Sequence, residues 1–271
     1  MARIFKFNIG DLDAFVLEED YFETSLDDIF LQSSQSVLAK VFNKFNPKEN
    51  CETGFNYLGL KVQGKLVLID TGRGTGALIK GLYKLGYSPE SVDYIMITHG
   101  DSDHVGGLSD FKYAKIVMPQ KAFDLWSNHN SYNQLLSEFE SAPFMGNVPT
   151  NKMAMALLAR KKYVDFLQNL PKDKLILIKE DEWFLNNLKF IYAPGHRSDH
   201  FAIEISTDKQ SLIHYSDAVR HPLQMVNPFV HSKYDSYPSL FSETLQNLCA
   251  YSKLKKAVQF CTHYKFPGFL N

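Results

Sequence analysis

Four side chains that could bind a metal ion lie within six positions of the sequence, at His99, Asp101, Asp103 and His104. They directly follow the apolar run YIMIT, and two glycines come soon after them. Imidazole and carboxylate groups suit zinc, iron or manganese, and α/β sheets place their sites beyond the carboxyl ends of strands. The alternative interpretation is a solvated polar loop whose aspartates cap a helix. The density of the cluster favours a metal site.

Three further apolar segments also end at a residue that can bind a metal. His196 follows LKFIYA and a Pro-Gly turn, Asp217 follows SLIHYS, and His263 ends KAVQFCTH. Any one strand-end histidine or aspartate is more often an ordinary core or surface residue. Together with the first cluster, however, these strand ends predict one shared site, because strands that are distant in sequence can meet at the same edge of a sheet.

These residues resemble the signature of the metallo-β-lactamase superfamily, which is HxHxDH followed by a distant His in a PGH turn, an Asp and a last His. The first motif is an HxDxDH variant here, since Asp101 stands where the family usually has its second histidine. LIDTG with Asp70, the GG after His104, and GHRSDH in place of the common GHTxGH extend the resemblance. SDAVRHPLQMVNP and HYKFPG look most like the subgroup of methyl parathion hydrolase and quorum-quenching lactonases.

The resemblance implies a four-layer αββα sandwich, formed as a single domain over residues 1–271, with the metals at the sheet edges. The sequence pattern agrees with an α/β fold, because β-rich hairpins and strand–helix–strand units precede Gln120 and further β segments follow Leu170. Helical patterns occupy the interval between these two residues. This helical insertion near 120–170 is predicted to cover the opening of the site. Its aromatic residues, such as Trp126, are interpreted as helix packing, and the lining of an apolar substrate pocket is the alternative.

By this resemblance, the chain binds two divalent metal ions. Zinc is the ion that the family favours, and manganese or iron is an alternative because the carboxylate of Asp101 is a harder ligand than imidazole. Asp70 is expected to orient one of the ligating histidines. One ion is assigned to His99, Asp101 and His196, the other is assigned to Asp103, His104 and His263, and Asp217 is assigned as the bridge.

The predicted chemistry is metal-dependent hydrolysis. Two ions about 3.5–4 Å apart lower the pKa of a shared water to about 7, and the resulting bridging hydroxide attacks a carbonyl or phosphoryl centre. Asp103 is the predicted catalytic residue, because its carboxylate can orient the hydroxide and pass its proton to the leaving group. An aspartate at position 101 lowers the formal positive charge of the site, which favours a small, neutral ester, lactone or related substrate.

Composition argues against other activities that this fold supports. The formal net charge is −1 and the pI is about 6.8, so no basic surface for nucleic acid is indicated. A nuclease is therefore the least favoured alternative, and a non-hydrolytic metal-binding or iron redox protein is the other. No apolar run approaches the ~18 residues of a membrane span. Three dispersed cysteines and no cleavable signal segment predict a cytoplasmic enzyme for a small-molecule substrate, either a monomer or a homodimer.

Other polar residues near these motifs are not assigned to the metals. The role of His200 is left open between hydrogen bonding in the pocket and a structural contact. Arg220 stands where the subgroup often has another histidine, and it is expected to shape the rim of the pocket. The remaining histidines are expected to have ordinary surface or core roles, and they are His129, His214, His221 and His231.

Overall fold

The computed structural model describes residues 3–31, 50–127 and 150–270, together with residues 133 and 137. For residues 150–157 and 159 it describes the backbone alone. Among the described residues, seven strands form one mixed sheet and five strands form a second sheet. These two sheets, with helices on their outer faces, make up the layers of the fold.

The strands of the first sheet follow one another in the order of the chain. They are β1 (Ile4–Ile9), β2 (Leu12–Ser25), β3 (Asn50–Val62), β4 (Lys65–Ile69), β5 (Tyr94–Met96), β6 (Lys115–Pro119) and β7 (Leu175–Ile178). Strands β1 to β4 pair antiparallel, whereas β4 to β7 pair parallel. Because parallel neighbours end at the same edge of a sheet, β4 and β5 deliver Asp70 and His99 side by side.

The second sheet runs in the order β12, β11, β10, β9, β8. Its strands are β8 (Trp183–Phe184), β9 (Leu188–Tyr192), β10 (Phe201–Ser206), β11 (Ser211–His214) and β12 (Val258–Phe260). Only β11 and β12 pair parallel among these described strands. That parallel pair brings the residues after β11 and after β12, among them Asp217 and His263, to one edge.

The described residues form seven α-helices. They are α1 (Leu26–Ile29), α2 (Ala77–Lys84), α3 (Ser102–Val105), α4 (Gln120–Ser127), α5 (Thr150–Gln168), α6 (Pro222–Val226) and α7 (Pro238–Lys255). Helix α2 connects β4 to β5 and buries Leu78 and Leu82 on the first sheet, while α7 buries Phe241 and Leu245 against the second. None of the helices described here is long and apolar enough to span a membrane.

Strand β10 illustrates how alternating side chains separate the layers. Phe201 and Ile203 belong to the large core between the sheets, and Ala202 faces the cluster under α7. Glu204 also points to the α7 side, where it is fully buried and its Oε2 accepts a hydrogen bond from the hydroxyl of Tyr251 at 2.6 Å. The period of two along the strand thus puts one face in each hydrophobic layer.

The predicted αββα sandwich is confirmed by this arrangement of sheets and helices. Helices α4 and α5 lie within the predicted insertion between Gln120 and Leu170. The part of this insertion over residues 128–149 lies outside the described residues, apart from residues 133 and 137. The interpretation of the chain as a single domain stays a prediction.

Candidate metal centre

All seven residues predicted as ligands meet at one place, where strands of both sheets end. The loop after β5 and helix α3 supply four of them, and the loops after β9, β11 and β12 supply one each. Six are buried, and Asp103 keeps 25% of its side chain exposed. Their ligand atoms form three groups, each within 4.8 Å: His99, Asp101 and His196; His99, His104 and Asp217; and Asp103, His104 and His263.

His99 and His104 are oriented by groups at the ends of β4 and β5. Nδ1 of His104 lies 2.7 Å from Oδ2 of Asp70, the contact that the predicted orienting role of Asp70 requires. Nδ1 of His99 lies 3.0 Å from the hydroxyl of Thr98, and that hydroxyl donates to Asp70 Oδ2 at 2.7 Å. Because the hydroxyl of Thr98 donates its own hydrogen to Asp70, it accepts a hydrogen bond from the Nδ1–H of His99. Both rings therefore present Nε2 to the site.

His196 and His263 are oriented in the same way by other segments. Nδ1 of His196 lies 3.1 Å from Oδ1 of Asp235, in the loop before α7. Nδ1 of His263 donates to the backbone carbonyl of Gly54 in β3 at 3.0 Å. These partners fix the proton on Nδ1 and leave Nε2 as an acceptor, as in histidines that bind metals.

The four Nε2 atoms are buried, and none has a hydrogen-bond partner among the described residues. Buried polar atoms nearly always have a partner, so four of them converging without one indicate that the site binds a ligand. Ring nitrogens that face carboxylates form the donor set that suits divalent cations such as zinc. The residues present thus fit the predicted metal ions.

Asp217 lies between the two sides of the site. Its Oδ1 is 3.1 Å from Nε2 of His104. Its Oδ2 is 3.4 Å from Nε2 of His196 and 3.2 Å from Nε2 of His263. An aspartate with histidines from both sides around its carboxylate has the position that a bridging ligand requires.

His200 fixes the backbone at Asp217. Nδ1 of His200 donates to the carbonyl of Ala193 at 2.9 Å, and its Nε2 accepts from the backbone N–H of Asp217 at 3.2 Å. Burial lowers the pKa of His200 to about 3, so the ring is neutral at physiological pH. Because both ring nitrogens are engaged, the structural role left open for His200 is the one that the geometry supports.

Asp101 is bound by two arginines that were not predicted to contact it. Arg197 donates to both carboxylate oxygens, from Nε to Oδ1 at 3.2 Å and from Nη2 to Oδ2 at 2.8 Å. Arg160, in α5, has its Nη2 3.2 Å from Oδ1. Burial alone would raise the pKa of Asp101, but the charges of Arg197 and Arg160 outweigh it and hold that pKa well below its usual range. The carboxylate therefore stays ionised inside the protein.

Arg220 contacts one of the proposed ligands, which differs from the expectation that it would affect the rim of the pocket rather than the metals. Its side chain is 9% exposed, and its Nη2 donates to Oδ2 of Asp217 at 2.5 Å. The chain turns just after Asp217, which brings this guanidinium back onto the carboxylate. The expectation that Asp101 lowers the positive charge of the site therefore left out three cations, which are Arg160, Arg197 and Arg220.

Asp199 links the loop that carries His99 to the helical insertion. Its Oδ2 accepts from the backbone N–H of Gly100 at 3.0 Å and from Nε1 of Trp126 at 2.8 Å. A β-carbon added to Gly100 would lie 2.4 Å from the indole ring, so this close approach requires glycine. Trp126 thus anchors α4 beside the site by packing, as predicted, and Arg160 reaches the site from α5.

Burial and neighbouring charges shift the pKa values of the histidines in different directions. Burial, reinforced by the nearby ring of His104, holds the pKa of His99 well below its usual value. Burial also disfavours the charged form of His104, but Asp217 and Asp70 outweigh it and raise that pKa well above its usual value. Asp217 has the same effect on the pKa of His263. The carboxylates therefore create a negative potential that attracts cations to this part of the site.

Several orienting residues were missed by the sequence analysis. Arg197 had a local signal, because it directly follows His196 and a buried aspartate at position 101 requires a cation nearby. Arg160, Asp235 and Thr98 had no comparable signal, since a cation in a helix, an acid in a loop and a threonine in a strand end are common in any protein.

A sandwich of two sheets, with histidines and aspartates converging at the strand ends, defines an αββα protein with a candidate metal centre. The profile of the metallo-beta-lactamase superfamily matches residues 60–263 of this chain. Because that match covers more than half of the sequence, the protein belongs to the metallo-beta-lactamase superfamily.

Similar proteins match at modest identity. The chain is 40% identical over 70 residues to metallo-beta-lactamase domain-containing protein 1 of Xenopus laevis, which covers 25% of this chain and 29% of that protein. It is 24% identical over 132 residues to an N-acyl homoserine lactonase of Bacillus cereus, covering 49% of this chain and 40% of the lactonase. The chain thus spans well under two thirds of the length of these relatives.

Among solved structures, the fold is similar to that of AidC, a dizinc quorum-quenching lactonase in complex with a product, N-hexanoyl-L-homoserine. The TM-score is 0.82 at 22% identity, and the superposition covers 99% of this chain and 92% of AidC. At this level of identity, the likeness concerns the fold.

Proposed function

We propose that this protein is a binuclear metal-dependent hydrolase that acts on a small ester or lactone. The observation that carries the proposal is the convergence of four buried Nε2 atoms, without hydrogen-bond partners among the described residues, on three aspartates. Zinc suits this donor set, and the carboxylate of Asp101 keeps manganese and iron as alternatives. The proposed ligands are His99, Asp101 and His196 for one ion, Asp103, His104 and His263 for the other, and Asp217 for both.

Two bound divalent ions would supply an acidified water as nucleophile and a Lewis acid for the carbonyl oxygen of the substrate. The protein contributes the rigidity of the site. Each histidine is held by its Nδ1 contact, and Asp217 is held by His200 and Arg220. Rigid positioning of this kind accelerates a reaction because little reorganisation is required when charge develops in the transition state.

Asp103 is the proposed catalytic residue. Its side chain is more exposed than those of the other six proposed ligands, and its Oδ2 lies 3.4 Å from Nε2 of His263. The hydroxyl of Tyr57, on β3, donates to the backbone carbonyl of Asp103 at 2.6 Å and fixes the chain there. Burial would raise the pKa of Asp103, but His263 and His104 lower it below the usual value, so the carboxylate can accept a proton at neutral pH.

Aromatic side chains next to His263 support a substrate with an apolar part. The ring of Phe55 stands edge-on to His263, with 5.0 Å between the ring centroids. Phe22 lies 6.0 Å from Phe55 and is 41% exposed, so this aromatic surface is open to solvent. Such rings offer contact area to an acyl or aryl group. The fold likeness to AidC and the partial match to a lactonase support the lactone class in particular.

Metal analysis combined with a substrate panel tests the proposal. The protein would be loaded with zinc, manganese or iron and assayed on lactones, aryl esters and phosphotriesters, with Asp103→Asn as the matched variant. We expect two ions per chain and hydrolysis of a lactone or ester that falls at least ~10²-fold in the variant. Fewer than two ions per chain, or no hydrolysis of any panel member in any metal form, would contradict the proposal. Oxygen consumption by the iron form would instead favour the redox alternative.

A further inference from the structure

The guanidinium of Arg197 is completely enclosed by acceptors. Nε and Nη2 donate to the two oxygens of Asp101 at 3.2 and 2.8 Å. Nη1 donates to the carbonyls of Tyr234 and His196 at 2.6 and 2.7 Å and lies 3.1 Å from the hydroxyl of Ser236. Arg197 is only 3% exposed. A buried guanidinium with acceptors on all three nitrogens has one orientation, so it can impose one orientation on the carboxylate.

Arg197 holds Asp101 through the oxygen that also faces the histidines. Oδ2 of Asp101 accepts from Nη2 of Arg197, and it lies 3.4 Å from Nε2 of His196 and 3.8 Å from Nε2 of His99. An ionised carboxylate oxygen has more than one lone-pair direction. One direction is used by the guanidinium, and another is left toward the two ring nitrogens.

The charges around Asp101 are balanced within the protein. Arg160 lies 3.2 Å from Oδ1 of Asp101, and the same nitrogen lies 4.0 Å from Oδ1 of Asp199. Asp101 and Asp199 together carry as many formal negative charges as Arg197 and Arg160 carry positive ones. An anionic side chain at position 101 therefore comes with its own compensating cations, and the cluster as a whole adds little net charge to the site.

We propose that Arg197 is a positioning residue of the metal centre, which aims the carboxylate of Asp101 at His99 and His196 and offsets its charge. The inference rests on the proposed function, because it takes Asp101 as a metal ligand. It revises the expectation from the sequence that Asp101 lowers the positive charge of the site. With Arg197 included, the centre keeps the charge that it would have with a neutral ligand at position 101, while the ligand atom is an oxygen.

A double-mutant cycle in the full chain tests this coupling. Zinc affinity would be measured on metal-free protein by competition with a chelator, and cobalt absorption would report on coordination. We expect Arg197→Met to lower the affinity for one of the two zinc ions ~10–100-fold and to leave the affinity for the other unchanged, as for other residues that orient ligands. Asp101→His alone should also lower the affinity for that ion, because it leaves Arg197 without its carboxylate partner. The double variant should bind that ion more tightly than either single variant.

Two further variants separate positioning from support of the fold. Asp13→Asn, at an exposed position on β2 that has no contact with Arg197, is the control, so both zinc affinities should stay at the wild-type values. Arg197→Lys keeps the charge but cannot donate to both carboxylate oxygens, so its zinc affinity should fall between those of Arg197→Met and the wild type. If Arg197→Met does not fold in the metal-free form, the lysine variant alone decides, and wild-type affinity in it would overturn the proposal.

Three results in the cycle would overturn the inference. The first is an unchanged zinc affinity in Arg197→Met. The second is tighter zinc binding in that variant, which would show that Arg197 competes with the metal. The third is that the effects of the two substitutions on zinc affinity are strictly additive in the double variant. If the wild-type protein itself binds fewer than two ions, the proposed function fails before any variant is considered.

Discussion

The two sides of the metal centre are supported by different parts of the molecule. On one side, the partners belong to the first sheet or to the ends of its strands, where Gly54, Tyr57 and Asp70 contact the ligands. On the other side, Thr98 at the end of β5 contacts His99, but the partners of Asp101 and His196 come from loops and from the helical insertion. We call Asp103, His104 and His263 the His104 group, and His99, Asp101 and His196 the His196 group.

The two groups of proposed ligands differ in whether the residues that hold them belong to the sheets or to other parts of the chain. The His104 group is held by residues in the strands of the first sheet or at the ends of those strands. The His196 group needs Arg197, Asp235 and Arg160, none of which lies in a strand. We therefore expect the His196 group to be the more easily altered side, both in metal affinity and in metal preference.

The largest effect is expected where the two groups meet. Asp217→Asn removes the carboxylate charge that contacts histidines of both groups, so the variant should lose affinity for both ions. It also leaves the buried Arg220 without its charged partner, and breaking a buried pair costs about 3–5 kcal/mol. Metal titration and urea unfolding of the metal-free variant measure the two effects. Loss of only one ion would show that Asp217 is not shared.

A matched pair of substitutions compares the groups directly. Asp70→Asn should weaken zinc binding ~10–100-fold in the His104 group and by less in the His196 group, because Thr98 connects Asp70 to His99. Asp235→Asn should weaken zinc binding ~10–100-fold in the His196 group alone, because an amide holds the Nδ1 proton less strongly than a carboxylate. Asp13→Asn, at an exposed position on β2, serves as the control. Chelator competition with zinc gives the affinities. Equal weakening of both ions by each variant would contradict the division into two groups.

A smaller effect is expected where the insertion meets the His196 group. Trp126→Phe keeps the apolar ring but removes the N–H that donates to Asp199, so the free energy of unfolding should fall by about 1–3 kcal/mol. Trp183→Phe is the matched control, because Trp183 is 38% exposed and surface substitutions usually change stability by less than about 0.5 kcal/mol. Equal urea midpoints for the two variants would count against the anchoring role of Trp126.

The smallest effect concerns the backbone of the His104 group. Tyr57→Phe removes the hydrogen bond to the carbonyl of Asp103, which should reduce the free energy of unfolding by about 0.5–1.5 kcal/mol. Tyr163→Phe is a suitable comparison, because the buried hydroxyl of Tyr163 has no hydrogen-bond partner among the described residues. A larger loss in Tyr163→Phe than in Tyr57→Phe would contradict this account.

The parts that could be predicted from sequence are those with a local pattern. YIMIT followed by HGDSDH shows a buried strand and a polar cluster within a few residues, and LIDTG does the same for Asp70. The strand ends that carry His196, Asp217 and His263 follow similar apolar runs. Resemblance to the superfamily then supplied the sandwich, which local patterns do not specify.

The contacts that could not be predicted join segments far apart in the chain. Arg160 meets Asp101 only because α5 packs across the loop after β5, and the packing of a whole helix is not encoded near either residue. Arg220 shows a second limit. Its proximity to Asp217 in sequence was visible, but whether the guanidinium turns outward to the rim or back onto the carboxylate depends on the turn between them.

The position of His104 between two carboxylates has a consequence for how ions enter the site. Asp70 binds its Nδ1 and Asp217 lies at its Nε2, and together they raise the pKa of the ring well above its usual value. In the metal-free protein these two carboxylates therefore favour a second proton on the imidazole. An entering zinc ion competes with that proton for Nε2, so zinc binding should release hydrogen ions and become weaker as the pH falls. A pH electrode during zinc titration would record this release.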